Sequence, residues 1–426
     1  MGRPAFQRFL TTAPATTGVR WGTASASWAD LAANRCDDVH PGGAYLIDPS
    51  AGLDCLAALF AVAAVPDTTL LWAAPGTTGG TTRPLAPGLY ATEAPVTGDD
   101  RPLWAVATSG SSGAAKLAIG HADTWELTAL HYDSAMLRPA FDGRTPATLA
   151  TCLPLQFSAA FFMTVLPSLF LRRDLVVFAP HDWSAIAATR GDTFVLSVPA
   201  VTAAACIGTT APLDLDHVAL FLGGGHITAT RLDLIRERFR GVSVSNLYGT
   251  AETGAIAVDP DPGHNRHLGR PIPGKAVWIR EPDADGIGRV TAAGPDCCAY
   301  VWRPGEPARP TGGSVSGTDY GRFDTDGNLC LEGRVDGGEK LRGVLVYPRT
   351  VERHLLRLPG VADARVLVER TDAGMERLVA RIVGDVDPGA VREHCTALTE
   401  THRPAVVDVV SEQAAGAVYS ANGKLR

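Results

Sequence analysis

Of the 38 Lys and Arg residues in this 426-residue chain, only four are lysine: Lys116, Lys275, Lys340 and Lys424. A compact ammonium on a flexible stem does what a planar guanidinium cannot, so an Arg-rich chain keeps Lys where a point charge matters. Three of the four sit in Gly-rich runs: Thr108-Ser-Gly-Ser-Ser-Gly-Ala-Ala-Lys116, Gly333-Arg-Val-Asp-Gly-Gly-Glu-Lys340 and Tyr419-Ser-Ala-Asn-Gly-Lys424. Lys beside glycines and hydroxyl side chains is the composition of a phosphate site. Taken singly, each also reads as a surface lysine; Lys275, in Pro273-Gly-Lys-Ala, reads as structural.

In the first run, Gly110 and Gly113 let the backbone fold so that successive N–H groups face an anion. Thr108, Ser109, Ser111 and Ser112 add hydroxyl donors, and Lys116 adds charge. The spacing is not that of a P-loop, because two residues separate the glycines and Leu117 follows the lysine. Leu222-Gly-Gly-Gly225-His lacks the third glycine of a dinucleotide fingerprint.

The elements that position these residues alternate between strand and helix. Ala44–Asp48, Thr69–Trp72, Leu103–Ala107, Ala147–Cys152, Asp174–Phe178, Thr193–Val198 and Val218–Leu222 are short apolar runs read as strands. Leu53–Val65 reads as a buried helix and Pro75–Pro87 as a loop. This is the pattern of an α/β protein with a mainly parallel sheet. From about residue 265, shorter strands (276–279, 288–291, 327–331) alternate with Gly/Pro turns, the mark of a small β-rich subdomain. Asp336-Gly-Gly reads as a hinge. The helix Pro348–Leu358 and the strands 364–368 and 377–383 then form a small α+β domain. The expected division is 1–335 for the large domain and 336–426 for a small mobile one.

Composition narrows the class. Hydrophobic residues make up 46% and aromatics 7%, and the net charge of −7 with no basic block argues against nucleic acid as a partner. No run is long enough for a membrane span, and no signal peptide opens the chain. The eight cysteines show no metal spacing and read as reduced thiols of a cytoplasmic protein, the Cys297-Cys298 pair being incidental. Abundant Ala and Arg suggest a GC-rich bacterial source.

Further motifs follow in order: Asn246-Leu-Tyr-Gly-Thr-Ala-Glu252-Thr after the strand-like 242–245, and Gly317-Thr-Asp319 through Gly327 before Gly333-Arg334-Val-Asp336. With the 108–116 loop and the terminal Gly423-Lys424, they resemble the adenylate-forming superfamily of acyl- and aryl-CoA ligases, nonribosomal peptide synthetase adenylation domains and luciferases. The likeness runs from about residue 104 to the C-terminus.

The resemblance implies ATP and Mg²⁺ as cofactors, with CoA as one candidate acceptor. It casts Thr108–Lys116 as the loop around the β- and γ-phosphates and Gly224, Gly225 and His226 as the border of adenine. Tyr248, within the nucleotide-binding run Asn246, Leu247, Tyr248 and Gly249, would stack on adenine. Thr250 would touch the α-phosphate and Glu252 would hold Mg²⁺. Asp319 would accept the ribose hydroxyls with Arg334 beside it, and Lys340 matches a charged position after the hinge at Asp336. Gly343 would line the acceptor tunnel after the small domain rotates. Lys424 would bridge the substrate carboxylate and the α-phosphate, with Thr250 and Glu252 completing the catalytic set.

The chain departs from that pattern in places. The segment before the phosphate loop is short, as in compact members, and apolar surface left by a trimmed layer would favour a homodimer. Leu117 replaces a usual Gly, and Val418 and Ser420 replace a common Pro and Thr. The chain ends two residues after Lys424, which reads as a stand-alone enzyme without a fused carrier domain.

Phe157 and Ser158 lie where relatives meet the acid. Amino-acid-activating relatives present Asp at the second position to pair with the α-ammonium. Without it a buried ammonium lacks a partner, which disfavours an α-amino acid. Gly223, Gly224 and Leu247 suggest a roomy apolar pocket for an aryl or medium acyl acid, whereas Phe161 and Phe162 read as core. The expected activity is acyl-adenylate formation with pyrophosphate release, then transfer to a thiol of CoA or of a separate carrier protein. The scattered arginines offer no clear patch for CoA. An amine acceptor, as in an amide synthetase, and a non-catalytic nucleotide-binding homologue are the alternatives. Specialised metabolism, antibiotic biosynthesis included, is the expected setting.

Overall fold

The computed structural model describes residues 4–78, 80–98, 101–108, 116–225, 227–263, 267–303, 305–334, 339–341, 344–346, 348–370, 376–419 and 425. Its largest sheet has nine strands, in the order Arg270–Pro271, Gly254–Asp259, Ser243–Thr250, Val218–Gly223, Thr193–Ser197, Thr148–Thr151, Asp174–Val177, Gly18–Trp21 and Ala24–Ser27. Every pairing from Ser243–Thr250 across to Gly18–Trp21 is parallel. Parallel strands are covered on both faces, which is why Thr193–Ser197 is buried throughout and reads as a continuous apolar run. Alternate residues feed two separate cores: Phe194, Leu196, Ala219 and Phe221 on one face, Val195, Leu220 and Leu222 on the other.

The winding direction reverses at Thr148–Thr151. Its sequence successor Asp174–Val177 pairs on one side, and the next strand, Thr193–Ser197, pairs on the other. Such a reversal opens a crevice at the carboxyl ends of the strands, where open α/β sheets bind ligands.

A second, eight-stranded sheet stacks on the shared core. Its order is Arg309–Pro310, Tyr300–Trp302, Lys116–His121, Leu103–Thr108, Thr69–Trp72, Ala44–Ile47, Leu89–Thr92 and Arg83–Ala86. Only the Ala44–Ile47, Thr69–Trp72 and Leu103–Thr108 strands run parallel; the other pairings are antiparallel. The helix Leu53–Ala63 is apolar almost all round because it lies within this core. Trp72 donates its indole N–H to the Leu155 carbonyl at 2.7 Å and so ties this sheet to the crevice of the first.

The expected β-rich subdomain is a four-stranded antiparallel sheet of Ala276–Arg280, Gly288–Ala293, Val315–Phe323 and Leu329–Arg334. Residues after 348 form a three-stranded sheet of Val361–Arg370, Glu376–Gly384 and Val406–Val410. With the helices Pro348–Leu355 and Pro388–His394 it encloses its own core of Val351, Leu355, Val366, Ile382 and Val391.

Several expectations need correction. The stretch 75–87 is not all loop, because Arg83–Ala86 adds an edge strand. The helices predicted to reach Val65 and Leu358 stop at Ala63 and Leu355. The Gly18–Trp21 strand had no sequence signal, yet it extends the parallel sheet beside Asp174–Val177. No helix among the described residues is long and apolar enough to cross a membrane.

The N-terminal helix Pro4–Thr12 seats Phe6 and Phe9 against Phe60, with ring centroids 5.6 and 5.8 Å away. Phe60→Ala is therefore expected to cost about 3–5 kcal/mol in denaturant unfolding. A loss below about 1 kcal/mol would mean that this cluster does not hold the N-terminal helix on the core.

Candidate active site

The Ser243–Thr250 strand carries the centre of the site. Asn246, Leu247, Tyr248 and Gly249 lie within it rather than after it, with Asn246 beside Leu222 and Leu247 beside Gly223. The ladder to Gly254–Asp259 shifts register between Tyr248 and Gly249, where the chain begins to double back. A Cβ at Gly249 would stand 2.2 Å from the Gly254 carbonyl, so only glycine fits there.

The turn that follows is closed by reciprocal hydrogen bonds. Thr250 N–H donates to Thr253 Oγ1 at 3.1 Å, and Thr253 N–H donates to Thr250 Oγ1 at 3.2 Å. The Glu252 carbonyl accepts from Cys298 N–H at 2.8 Å. Burial, with the Glu252 charge adding to it, pushes the Cys298 thiol up to about 12, so it stays protonated and inert beside the carboxylate.

Three sheets meet at this strand end. Tyr248 donates its hydroxyl to Asp319 Oδ2 at 2.7 Å, reaching the Val315–Phe323 strand of the four-stranded sheet. Lys116 Nζ donates to Glu252 Oε1 at 2.5 Å, reaching the Lys116–His121 strand of the eight-stranded sheet. The Lys116 and Glu252 side chains keep 25% and 18% exposure, so both ends of the pair stay open to an incoming charged ligand. Such a half-wet pair contributes little to stability, and its groups are free to exchange partners.

Beneath the turn lies a cluster that the motifs did not point to. Lys275 and Asp296 have side chains 0% and 1% exposed and are ion-paired, and Lys275 also donates to the Thr253 carbonyl. Tyr132 donates to the second Asp296 oxygen at 2.7 Å and accepts from Ala255 N–H at 3.3 Å. Burial, then the Asp296 charge, holds the Tyr132 hydroxyl far above its usual range, so it remains a donor. Gly254 has φ +65°, and a Cβ there would come 2.1 Å from Asp296 Oδ2. Lys275 is structural, as its sequence context implied, but the structure it supports is the turn bearing Thr250 and Glu252. Its signal was the rarity of Lys itself; nothing in the spacing named Asp296 as its partner.

The acid-facing candidates gather at the crevice of the nine-stranded sheet. Phe157 is half-buried before the short helix Ser158–Ala160 and packs on the central core together with Val198. Gly223 and Gly224 end the neighbouring strand, where a Cβ on Gly223 would sit 3.1 Å from the Leu247 carbonyl. Phe161 and Phe162 are core, packed tilted on Trp72 and edge-to-face on Trp104 with centroids 4.5 and 4.8 Å apart.

Other candidates fall outside the described residues: Ser109, Gly110, Ser111, Ser112, Gly113, His226, Asp336, Gly343 and Lys424. Arg334 and Lys340 are placed only through their strands, Arg334 opposite Asp319 and Lys340 opposite Leu345. The residues flanking two of these segments are described: Thr108 pairs with Lys116, and Tyr419 bridges Leu425. No group of three or more His, Cys, Asp or Glu side chains among the described residues forms a ready metal cage. Glu252 offers a single partly exposed carboxylate, which would suit a Mg²⁺ ion brought in with a polyphosphate.

The family model described as AMP-binding enzyme matches residues 53–297, more than half of the chain, and the chain belongs to that family. It is 28% identical over 373 residues to the "probable non-canonical nonribosomal peptide synthetase" CymA of Salinispora arenicola, covering 78% of this chain and 4% of that protein. It is 27% identical over 333 residues to the p-hydroxybenzoic acid–AMP ligase FadD22 of Mycobacterium tuberculosis, covering 73% of this chain and 47% of that protein. The chain thus spans less than half the length of either relative. Its fold matches the anthranilate CoA ligase AuaEII, solved with anthranoyl-AMP, at TM-score 0.68 and 16% identity over 99% of this chain and 95% of that one.

Asp296→Ala strands the Lys275 ammonium in a desolvated site. The expected cost is about 3–5 kcal/mol of stability, read by denaturant unfolding. Tyr132→Phe removes one charge-assisted hydrogen bond and is expected to cost about 1.5–3 kcal/mol. Wild-type midpoints in both variants would contradict the reading of this cluster as the support of the turn.

Proposed function

We propose that this AMP-binding enzyme joins a carboxylic acid to ATP as an acyl-adenylate, releases pyrophosphate, and passes the acyl group to a thiol of CoA or a carrier protein. The observation that carries the proposal is the meeting of three sheets at the end of the Ser243–Thr250 strand, where Tyr248 and the nearby Glu252 receive Asp319 from one neighbouring sheet and Lys116 from the other. One pair suits a nucleoside and the other a polyphosphate, and Thr250 lies between them.

In the first step a carboxylate oxygen of the acid attacks the α-phosphorus. The bond to the bridging oxygen breaks, and pyrophosphate leaves with the electron pair. Both reactants are anionic, so the obstacle is charge repulsion. Lys116 and the 109–113 loop take the β- and γ-phosphates, Thr250 meets the α-phosphate, and Lys424 spans the carboxylate and the α-phosphate. Mg²⁺ at Glu252 would supply further positive charge to the phosphate oxygens. Lys116 already neutralises Glu252 at 2.5 Å, so phosphate entry exchanges one anionic partner of the lysine for another. Tyr248 and Asp319 orient adenine and ribose, with Gly224, Gly225, His226 and Arg334 around them. Phe157, Ser158, Gly223 and Leu247 face the acid. Residues 336–426 rotate about Asp336 between the two steps.

An aryl acid suits the half-buried Phe157 and the absence of a carboxylate at Ser158. The relatives whose names mention p-hydroxybenzoic acid and anthranilate support the same class. The test is ATP–pyrophosphate exchange across aryl, acyl and amino acids. Aryl acids are expected to support exchange, and Lys424→Ala to lower it about 10²–10³-fold. Exchange with α-amino acids alone would overturn the acid assignment, and exchange indifferent to Lys424 would overturn the mechanism.

A further inference from the structure

The helix Ala229–Arg238 begins a few residues after the Gly223–Gly225 stretch of the crevice. It carries three arginines, of which Arg231 is buried with a side chain 1% exposed. Its guanidinium reaches three residues beyond position 360. Nη1 meets Asp363 Oδ2 at 3.1 Å, Nε meets Glu412 Oε1 at 3.4 Å, and Nη2 donates to the Tyr419 hydroxyl. The guanidinium also stands 5.5 Å from the centre of the Tyr419 ring. Tyr419 in turn donates to Asp363 Oδ2 at 3.0 Å. Burial raises the Tyr419 hydroxyl well above its ordinary range, so it stays neutral between the two charges.

This cluster joins two bodies with separate cores. Leu232 and Ile235 of the helix belong to the outer core of the nine-stranded sheet, whereas Val361 and Val366 belong to the C-terminal core. Around Arg231 the contact is polar and partly open. Thr228 Oγ1 donates to the Ala362 carbonyl at 3.1 Å, and a cleft of about 710 Å³ separates Thr230 and Asp233 from residues 356–361. A buried ionic contact of this kind specifies geometry more than it adds stability. It is also a contact that a rotation can break and water can then satisfy.

What it grips is the base of the Lys424 loop. Tyr419 and Leu425 bridge each other, Leu425 is buried against Ala362 and Val383, and its carbonyl accepts from Arg365 at 2.8 Å. Tyr419 and Leu425, which flank the segment holding Lys424, are thus both anchored to the Val361–Arg370 strand and its neighbour. Arg231 holds that strand at Asp363 and one anchor at Tyr419.

We propose that Arg231 is a positioning residue for acid activation. By holding Asp363, Glu412 and Tyr419 it keeps the C-terminal part in the orientation that presents Lys424 to the crevice, and its release accompanies the turn to acyl transfer. The proposal rests on the activity proposed above. It adds a division of labour: the grip serves the lysine-dependent first step and not the second.

The two steps are measured separately in Arg231→Met. Pyrophosphate exchange is expected to lose roughly 10–100-fold in kcat, with KM for ATP and acid within about twofold of wild type. Acyl transfer from chemically prepared acyl-adenylate to the thiol is expected to be unchanged or faster. In Arg231→Met/Lys424→Ala, exchange should equal that of Lys424→Ala alone, since both changes act through one lysine. Tyr419→Phe keeps the ring but removes the shared hydroxyl, and is expected to shift exchange in the same direction by less; it serves if Arg231→Met folds poorly. Equal losses in both steps, or additive losses in the double variant, would overturn the proposal. If the wild type exchanges with no acid, the activity reading fails by itself. The grip is then read by small-angle X-ray scattering: a broader distance distribution in Tyr419→Phe or Arg231→Met supports it, and one identical to wild type refutes it.

Discussion

A lysine and an aspartate buried together under a tight turn set the conditions for everything above them. Either Lys275 or Asp296 alone in that buried site would carry a desolvation cost with nothing to offset it. Paired, and with Tyr132 satisfying the second carboxylate oxygen, they form a rigid polar floor. The floor holds the Thr253 carbonyl and leaves no room for a side chain at Gly254. The turn above therefore has one conformation, and the direction of Thr250 and Glu252 follows from it.

The rest of the site is a consequence of where that turn is mounted. It ends a parallel strand, so it opens toward the carboxyl edge where the winding of the sheet reverses. Charged groups from the other two sheets reach the same strand end, Lys116 from one and Asp319 from the other. The arrangement separates tasks by position. Phe157 and Leu247 pack on the apolar core beside the large sheet, and ionic groups occupy the seam between sheets. In the proposed reaction the ionic seam offsets the charge of the polyphosphate, and the apolar residues beside it read the shape of the acid.

Much of this was legible in the sequence, and the remainder was hidden for definite reasons. Thr193–Ser197 and Val218–Gly223 could be read because strands covered on both faces must be apolar throughout. Tyr248, Glu252 and Asp319 stand out because their motifs occur in order, and the structure brings Tyr248 to Asp319 and Glu252 to Lys116. Gly18–Trp21 escaped because a four-residue strand of mixed exposure carries no period. The Ser243–Thr250 strand was cut short because Tyr248-Gly-Thr reads as a turn, while the ladder to Gly254–Asp259 carries it onward. The Lys116–Glu252 contact joins residues 136 positions apart, and no local pattern encodes such a pairing. Arg231 was invisible for a related reason. It is one of several arginines on a polar helix, and only docking of the C-terminal part makes it buried while Arg236 stays 54% exposed.

The most direct test of the account follows oxygen. Aryl acid labelled with ¹⁸O in both carboxylate positions is turned over with ATP and the thiol acceptor, and the AMP formed is weighed by mass spectrometry. Attack of the carboxylate on the α-phosphorus predicts one ¹⁸O in each AMP released. Unlabelled AMP, or ADP and phosphate in its place, would show that no acyl-adenylate forms and would contradict the central claim.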